Sequence, residues 1–275
     1  MNISVSSWSF HQELYAGTLR LWDVPYRLFD LGYRAVELND IFLFPKSPGR
    51  LARLFGRKTR PFDPRHYNIR ALRSVRLNRF RSGTRLVCWT LDSDLTVQGP
   101  DRVAQLAYLG QAIQAVRFLG APIIRLTLGG ETNDRAAFDS TVSMMGSVLP
   151  VAIAAEVQLA VENHGGLSND PDTLIEFVKR SRGDRASALG VCLDLGSFDR
   201  DPLIGIEKLA PFAFHVHAKS HAFDAHGEET SIDYKSALSI LKAAKYDGAI
   251  SVEYEGNDDA VTGIHRTRDL IEKYW

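Results

Sequence analysis

Short apolar runs rich in branched residues alternate with longer amphipathic stretches along the whole of this 275-residue chain. No other feature of the sequence restricts the fold as much. Residues 3–8, 35–39, 86–91 and 123–130 read as strands one to four, and residues 159–166, 190–198, 213–218 and 249–255 as strands five to eight. Helical periodicity fills the gaps. It spans 19–31 (Leu21, Val24, Leu28 and Leu31, closed by Gly32), then 64–81, 102–119 and 135–155. It resumes over 170–182, which opens on the cap-like DPDT, and over 203–209, 234–244 and 259–274. Such alternation implies a parallel sheet, because parallel neighbours need a long return connection that a helix supplies. Eight units in this length, with no evident linker, fit one domain over residues 1–275: a closed (β/α)8 TIM barrel carrying a basic insertion after strand two. A doubly wound open sheet is the alternative. It is weakened because no Gly-rich phosphate fingerprint follows strand one.

In a barrel of this kind the C-terminal ends of the strands form the functional face, and here those ends are costly. Strand five ends in LAVENHGG, where alternation turns Ala160, Glu162 and His164 one way and Val161 and Asn163 the other. Strand six carries Asp194, strand seven His215, His217 and Lys219, and strand eight Glu253 and Glu255. Glu37 and Asn39 close strand two, and Arg125 stands in strand four. Buried charges are too expensive to be filler. Any one of them could be a solvated strand-end residue, but four at matching positions are poorly explained by coincidence. Three carboxylates and a neutral imidazole make a hard, oxygen-rich set suited to Mn²⁺, Mg²⁺ or Co²⁺ in six coordination, with Zn²⁺ a further option. Without a cation, converging carboxylates repel and some stay protonated.

The chain has 33 basic and 33 acidic residues and no formal net charge, which gives no general case for nucleic acid or acidic membranes. MNISVSSWSF lacks the basic start and apolar run of a signal peptide, and no later stretch is expected to span a bilayer. Cys88 and Cys192 fall inside strands and read as small buried hydrophobes in a reducing cytosol, so a cytoplasmic location is expected.

With ENHGG, CLDLGSF, HVHAKS and SVEYEG in this order, preceded by IDY at 232–234 and YDGA at 246–249, the chain resembles the sugar phosphate isomerase/epimerase superfamily, the xylose isomerase-like TIM barrels. The resemblance covers nearly the whole chain and is strongest over 159–256. It implies Glu162, Asp194, His217 and Glu253 as metal ligands, choosing His217 over His215 and Glu253 over Glu255. It also implies a metal holding two neighbouring oxygens of a ketose or aldose, polarising the carbonyl and acidifying the adjacent C–H. Glu162 and Glu253 would then remove and return the proton through an enediolate. A hydride shift uses two metals, and no complete second ligand set is visible. Lys219 and Arg125 would stabilise negative charge on the intermediate.

Several candidates keep two readings. Glu37 would bind sugar hydroxyls or support the site from behind. His164 and His215 are ligands or substrate contacts on one reading, buried histidines satisfied by a neighbour on the other. Trp8 and Trp89 would stack on a sugar or simply fill core. A lyase or dehydratase acting on a keto-sugar or cyclitol needs the same metal and the same proton abstraction. Apurinic endonucleases of the superfamily need extra metal-binding histidines. This sequence offers only the Asp224-Ala-His226 pair and has Ser197 where they place a histidine. A barrel that binds a sugar without converting it has no need of a complete acid/base pair.

Residues 46–85 hold 13 Lys or Arg against the single acid Asp63. The first half reads as a Pro/Gly-rich loop and the second as a helix with Ile69, Leu72 and Val75 towards the barrel. The segment is a solvated excursion, a subunit contact or a phosphate-binding element. By subtraction the rest of the chain carries 20 basic (33 − 13) and 32 acidic (33 − 1) groups. That complementarity leads us to expect a homo-oligomer, with Leu51, Leu54 and Phe55 buried near the contact.

Overall fold

All eight apolar runs form strands: β1 Asn2–Ser6, β2 Ala35–Asn39, β3 Arg85–Thr90, β4 Ile123–Leu126, β5 Gln158–Glu162, β6 Leu189–Asp194, β7 Ala213–Ser220 and β8 Ala249–Tyr254. They pair in parallel in sequence order, and β8 returns to β1 to close the barrel. β2, β6 and β8 are buried along their whole length, which is why they read as continuous apolar runs rather than alternating ones. The structure, a computed structural model, describes residues 2–44, 66–130 and 134–275.

Around the barrel lie α1 His11–Ala16, α2 Val24–Asp30, α3 Ile69–Ser82, α4 Gly99–Leu119, α5 Arg135–Ala154, α6 Pro171–Arg182, α7 Pro202–Leu209, α8 Tyr234–Ala243 and α9 Ala260–Tyr274. Aspartates cap four of them. Asp134, Asp170, Asp233 and Asp259 accept the N–H of Ala137, Thr173, Ser236 and Thr262 at 2.8–3.0 Å, satisfying donors a helix start leaves open. α6 then buries Leu174, Phe177 and Val178 against the barrel, side chains worth roughly 1.5–3 kcal/mol each when taken from water.

Several expectations change: strands four, five and six end at Leu126, Glu162 and Asp194 rather than at 130, 166 and 198, and the helix expected from residue 64 starts at Ile69. β1 stops at Ser6 instead of residue 8, because the Ser6 hydroxyl accepts the Trp8 N–H at 3.2 Å and turns the chain into a 3-10 helix over Ser7–Phe10. The stretch 19–31 divides into a 3-10 turn at Leu21–Asp23 and α2, with Pro25 in the first turn of α2, where a proline fits. α5, at 20 residues, is by length and composition alone apolar enough to cross a bilayer, contrary to the sequence reading. Here it serves as a crossover helix, burying Phe138, Met144, Met145, Val148 and Leu149. In α3 Leu72 and Val75 are buried as expected, but Ile69, in its first turn, is 51% exposed. The loop expected before α3, the residues 64 and 65 assigned to that helix, and Leu51, Leu54 and Phe55 lie outside the described residues.

Candidate metal centre

Strand ends gather the site. Glu162 and Asp194 are the last residues of β5 and β6, while His217 and Glu253 stand near the ends of β7 and β8. The register sets Asp194 beside His217 and Lys219 beside Glu253. One donor atom from each of Glu162, Asp194, His217 and Glu253 lies within 4.8 Å of the others, and all four residues are buried. His217 Nδ1 is 2.6 Å from Glu162 Oε1 and 3.5 Å from Glu253 Oε2.

Each donor is held from behind. The Nε2 of His217 lies 3.0 and 3.1 Å from the two oxygens of Glu37, and His215 Nε2 is 2.7 Å from Oε2 of the same carboxylate. The Thr90 hydroxyl donates to Glu37 Oε1 at 2.6 Å. Burial alone would raise the pKa of Glu37, but His217 and His215 outweigh it and hold the carboxyl well below its usual range. Burial likewise works against the Asp194 carboxylate and is overcome by the Lys219 ammonium at 2.8 Å and by His217. Asp194 also accepts from the Ser197 hydroxyl and the Gly196 N–H, each at 2.8 Å. Its backbone is clamped by Asn163, which donates to the Asp194 carbonyl at 2.9 Å and accepts its N–H at 2.8 Å. The Arg125 guanidinium pairs with Glu162 Oε2, and His164 Nδ1 stands 3.2 Å from the same oxygen. Among the described residues Glu253 accepts only the Ser6 hydroxyl, at 3.3 Å, and burial raises its pKa.

The donors fit a divalent ion. His217 Nδ1 and Glu162 Oε1 face one another at 2.6 Å. Burial works against a charged His217 ring, but Cys192, Glu37 and Glu253 outweigh it and raise its pKa well above the usual histidine range. The converging carboxylates therefore call for positive charge at this point, which a proton on His217 supplies and a divalent ion among the four donors would supply in its place. A carboxylate behind a ligating histidine is also the usual way of fixing ring orientation.

A cavity of about 480 Å³ opens beside the cluster, lined among others by Trp8, Asp92, Ser93, Arg125, Thr127, His164, Lys219, Glu253 and Glu255. One wall is bare backbone. Gly166 has φ +54°, and a Cβ there would sit 2.4 Å from the Gly130 carbonyl oxygen, so glycine is required. Of the expected residues, Arg125, His164, Lys219 and Glu253 reach this cavity; Glu162, Asp194, His217 and Glu37 lie behind its surface. Trp8 lines it, its indole N–H donating to Glu255 at 2.7 Å. Trp89 is fully buried core, and Asp224 and His226 sit in an exposed turn away from it. Reading the sequence missed the supports Ser6, Thr90 and Asn163. Asn163 left one signal, its place in ENHGG with the opposite parity to Glu162.

Fold and site together define an eight-stranded barrel with a buried cluster that fits a divalent ion, and the matching family model gives the fold its class: the chain belongs to the xylose isomerase-like TIM barrel family, matched over residues 26–274. Solved structures of the same shape include a D-tagatose 3-epimerase-like protein (TM-score 0.73, 19% identity, 100% of this chain and 98% of that one). Others are the probable 3-DHS dehydratase AsbF of Bacillus anthracis (0.70, 13%, 98% and 98%) and the IOLI protein with a bound zinc atom (0.72, 14%, 100% and 99%). At these identities the likeness is one of fold. Among curated proteins, the C-glycoside deglycosidase alpha subunit of Microbacterium trichothecenolyticum is 44% identical over 48 residues, 18% of this chain and 13% of that protein. The chain spans less than half the length of the curated relatives it matches.

Proposed function

We propose that this protein is a divalent-metal-dependent sugar isomerase or epimerase that removes a proton next to a carbonyl. The observation that carries the reading is the convergence of one donor atom from each of Glu162, Asp194, His217 and Glu253 within 4.8 Å of one another, buried beside a cavity. Glu162, Asp194, His217 and Glu253 would hold the ion. Bound there, it would polarise a substrate carbonyl and acidify the neighbouring C–H. Glu253, at the cavity surface, meets that proton, and Glu162 is the second carboxylate expected to act on it. Lys219 and Arg125 face the place where negative charge develops. His164 and the hydroxyls of Ser93 and Thr127 offer hydrogen bonds to a polyol. Glu37, expected at the substrate, acts in this reading as the group that orients His217. Calorimetric titration with Mn²⁺ tests the centre: a His217→Ala, Asp194→Ala double variant should lose binding, and unchanged binding would remove these residues as ligands. In deuterated water, turnover of a ketose should place deuterium on the carbon next to the carbonyl.

The short matches to C-glycoside deglycosidase alpha subunits favour a second reading, a lyase that uses the same proton abstraction to expel a group one carbon further on. A product that has lost water or an aglycone separates it from the first.

A further inference from the structure

The four candidate ligands are equally buried but unequally held. Glu162 Oε2 takes the Arg125 guanidinium, and Arg125 is anchored in turn by donating to the Leu91 carbonyl at 3.1 Å. Arg125 and His164 form the cavity wall in front of Glu162, whose side chain is 1% exposed. Asp194 is held by Lys219, and His217 by Glu37. Glu253 differs: its hydrogen bond comes from a neutral hydroxyl at 3.3 Å, Lys219 stands off at 3.8 Å, and of the four it alone lines the cavity.

Resting on the metal-dependent proton transfer proposed above, but replacing its pair of carboxylates by one, we infer that Glu253 alone exchanges the substrate proton, and that Arg125 is a positioning residue that confines Glu162 to holding the metal. Turning Glu162 towards a substrate would break its pair with a guanidinium that is 11% exposed and whose Nε already has no hydrogen-bond partner among the described residues. Leaving a buried charge unpaired is strongly unfavourable. Turning Glu253 gives up one long hydrogen bond to a neutral group and looser contacts with His217 at 3.5 Å and Lys219 at 3.8 Å, a smaller loss than breaking the direct Arg125 pair.

One base on one face limits the chemistry. The Glu253 carboxylate takes the C–H proton, the C–H electron pair becomes the C=C bond of an enediolate, and the carbonyl π pair moves to oxygen. The resulting carboxylic acid returns the proton to the neighbouring carbon from the same side. Meanwhile the hydroxyl proton passes between the two adjacent oxygens. Atoms and electrons balance without a redox partner, and the product is the aldose–ketose isomer. Inverting a stereocentre would need a second group on the opposite face.

Glu162→Gln, Glu253→Gln, Arg125→Gln and Arg125→Lys test this, with Mn²⁺ titrated calorimetrically and exchange followed in deuterated water with D-fructose and D-tagatose. Glu162→Gln and Arg125→Gln should bind Mn²⁺ about 10–100-fold more weakly, and Arg125→Lys should recover part of the loss. At saturating Mn²⁺ the exchange rate of Glu162→Gln should fall by no more than about tenfold. Glu253→Gln, which also alters a ligand, should weaken Mn²⁺ binding too, but at saturating Mn²⁺ it should lose exchange by about 10²–10⁴. Exchange lost as completely in Glu162→Gln as in Glu253→Gln, at saturating metal, overturns the inference. So does unchanged Mn²⁺ affinity in both Arg125 variants. If the unmodified protein exchanges neither sugar, the functional reading fails separately. The Mn²⁺ affinities of the Arg125 variants still decide the pinning, since affinity unchanged in both would refute it.

Discussion

At the tip of β5, His164 lies close to Arg125 and Lys219 as well as to Glu162. Burial, and then those two cations, lower its pKa to about 4. The unfolded chain therefore takes up this proton first as the pH falls. The neutral ring's contribution to stability is complete above the ordinary value near 6.5 and is lost as the pH drops towards 4. Because 53% of the side chain is exposed, solvent screens the effect and the slope it adds is modest. Thermal melts between pH 7 and pH 4 should fall less steeply for His164→Gln than for the parent; equal slopes would refute the assignment. The inward-facing set of Glu162, Asp194, His217, Lys219 and Glu253 was legible in the sequence because strand parity is local. What stands behind it was not. Glu37 meets His215 and His217 across 178 and 180 residues, and barrel closure alone creates that contact. Parity could place Glu37 on the inner face but could not say whether it met substrate or histidine.

Among the elements, the aspartate caps give the cleanest local test. Asp259 accepts the Thr262 N–H at 2.8 Å and its hydroxyl at 2.9 Å. An N-cap of this kind is worth about 1 kcal/mol. Asp259→Ala should lower the melting temperature by about 2 °C while leaving Mn²⁺ affinity untouched; a matching loss of affinity would mean that α9 helps shape the centre. All eight strands were legible because each is a dense run of branched and aromatic residues. α1 was not, since none of its six residues is buried and an unburied helix carries no apolar period. The end of β1 was also hidden, because a serine hydroxyl bonding to its own backbone looks no different in sequence from one in a strand.

Across the whole molecule, opposite charges cancel in number without being evenly mixed along the chain. α3 carries Arg70, Arg73, Arg76, Arg79 and Arg81 and no acid, while the chain outside residues 46–85 holds 20 basic and 32 acidic groups. A second copy can offer carboxylates to that face, so we expect light scattering to report an oligomer that loosens as salt is raised; a monomer at every ionic strength would leave α3 a solvated surface. The arginines of α3 concentrate positive charge on one helix of a molecule whose isoelectric point is near 7.1. It should adhere to a cation-exchange resin by its arginine face under conditions where its titration curve predicts passage straight through.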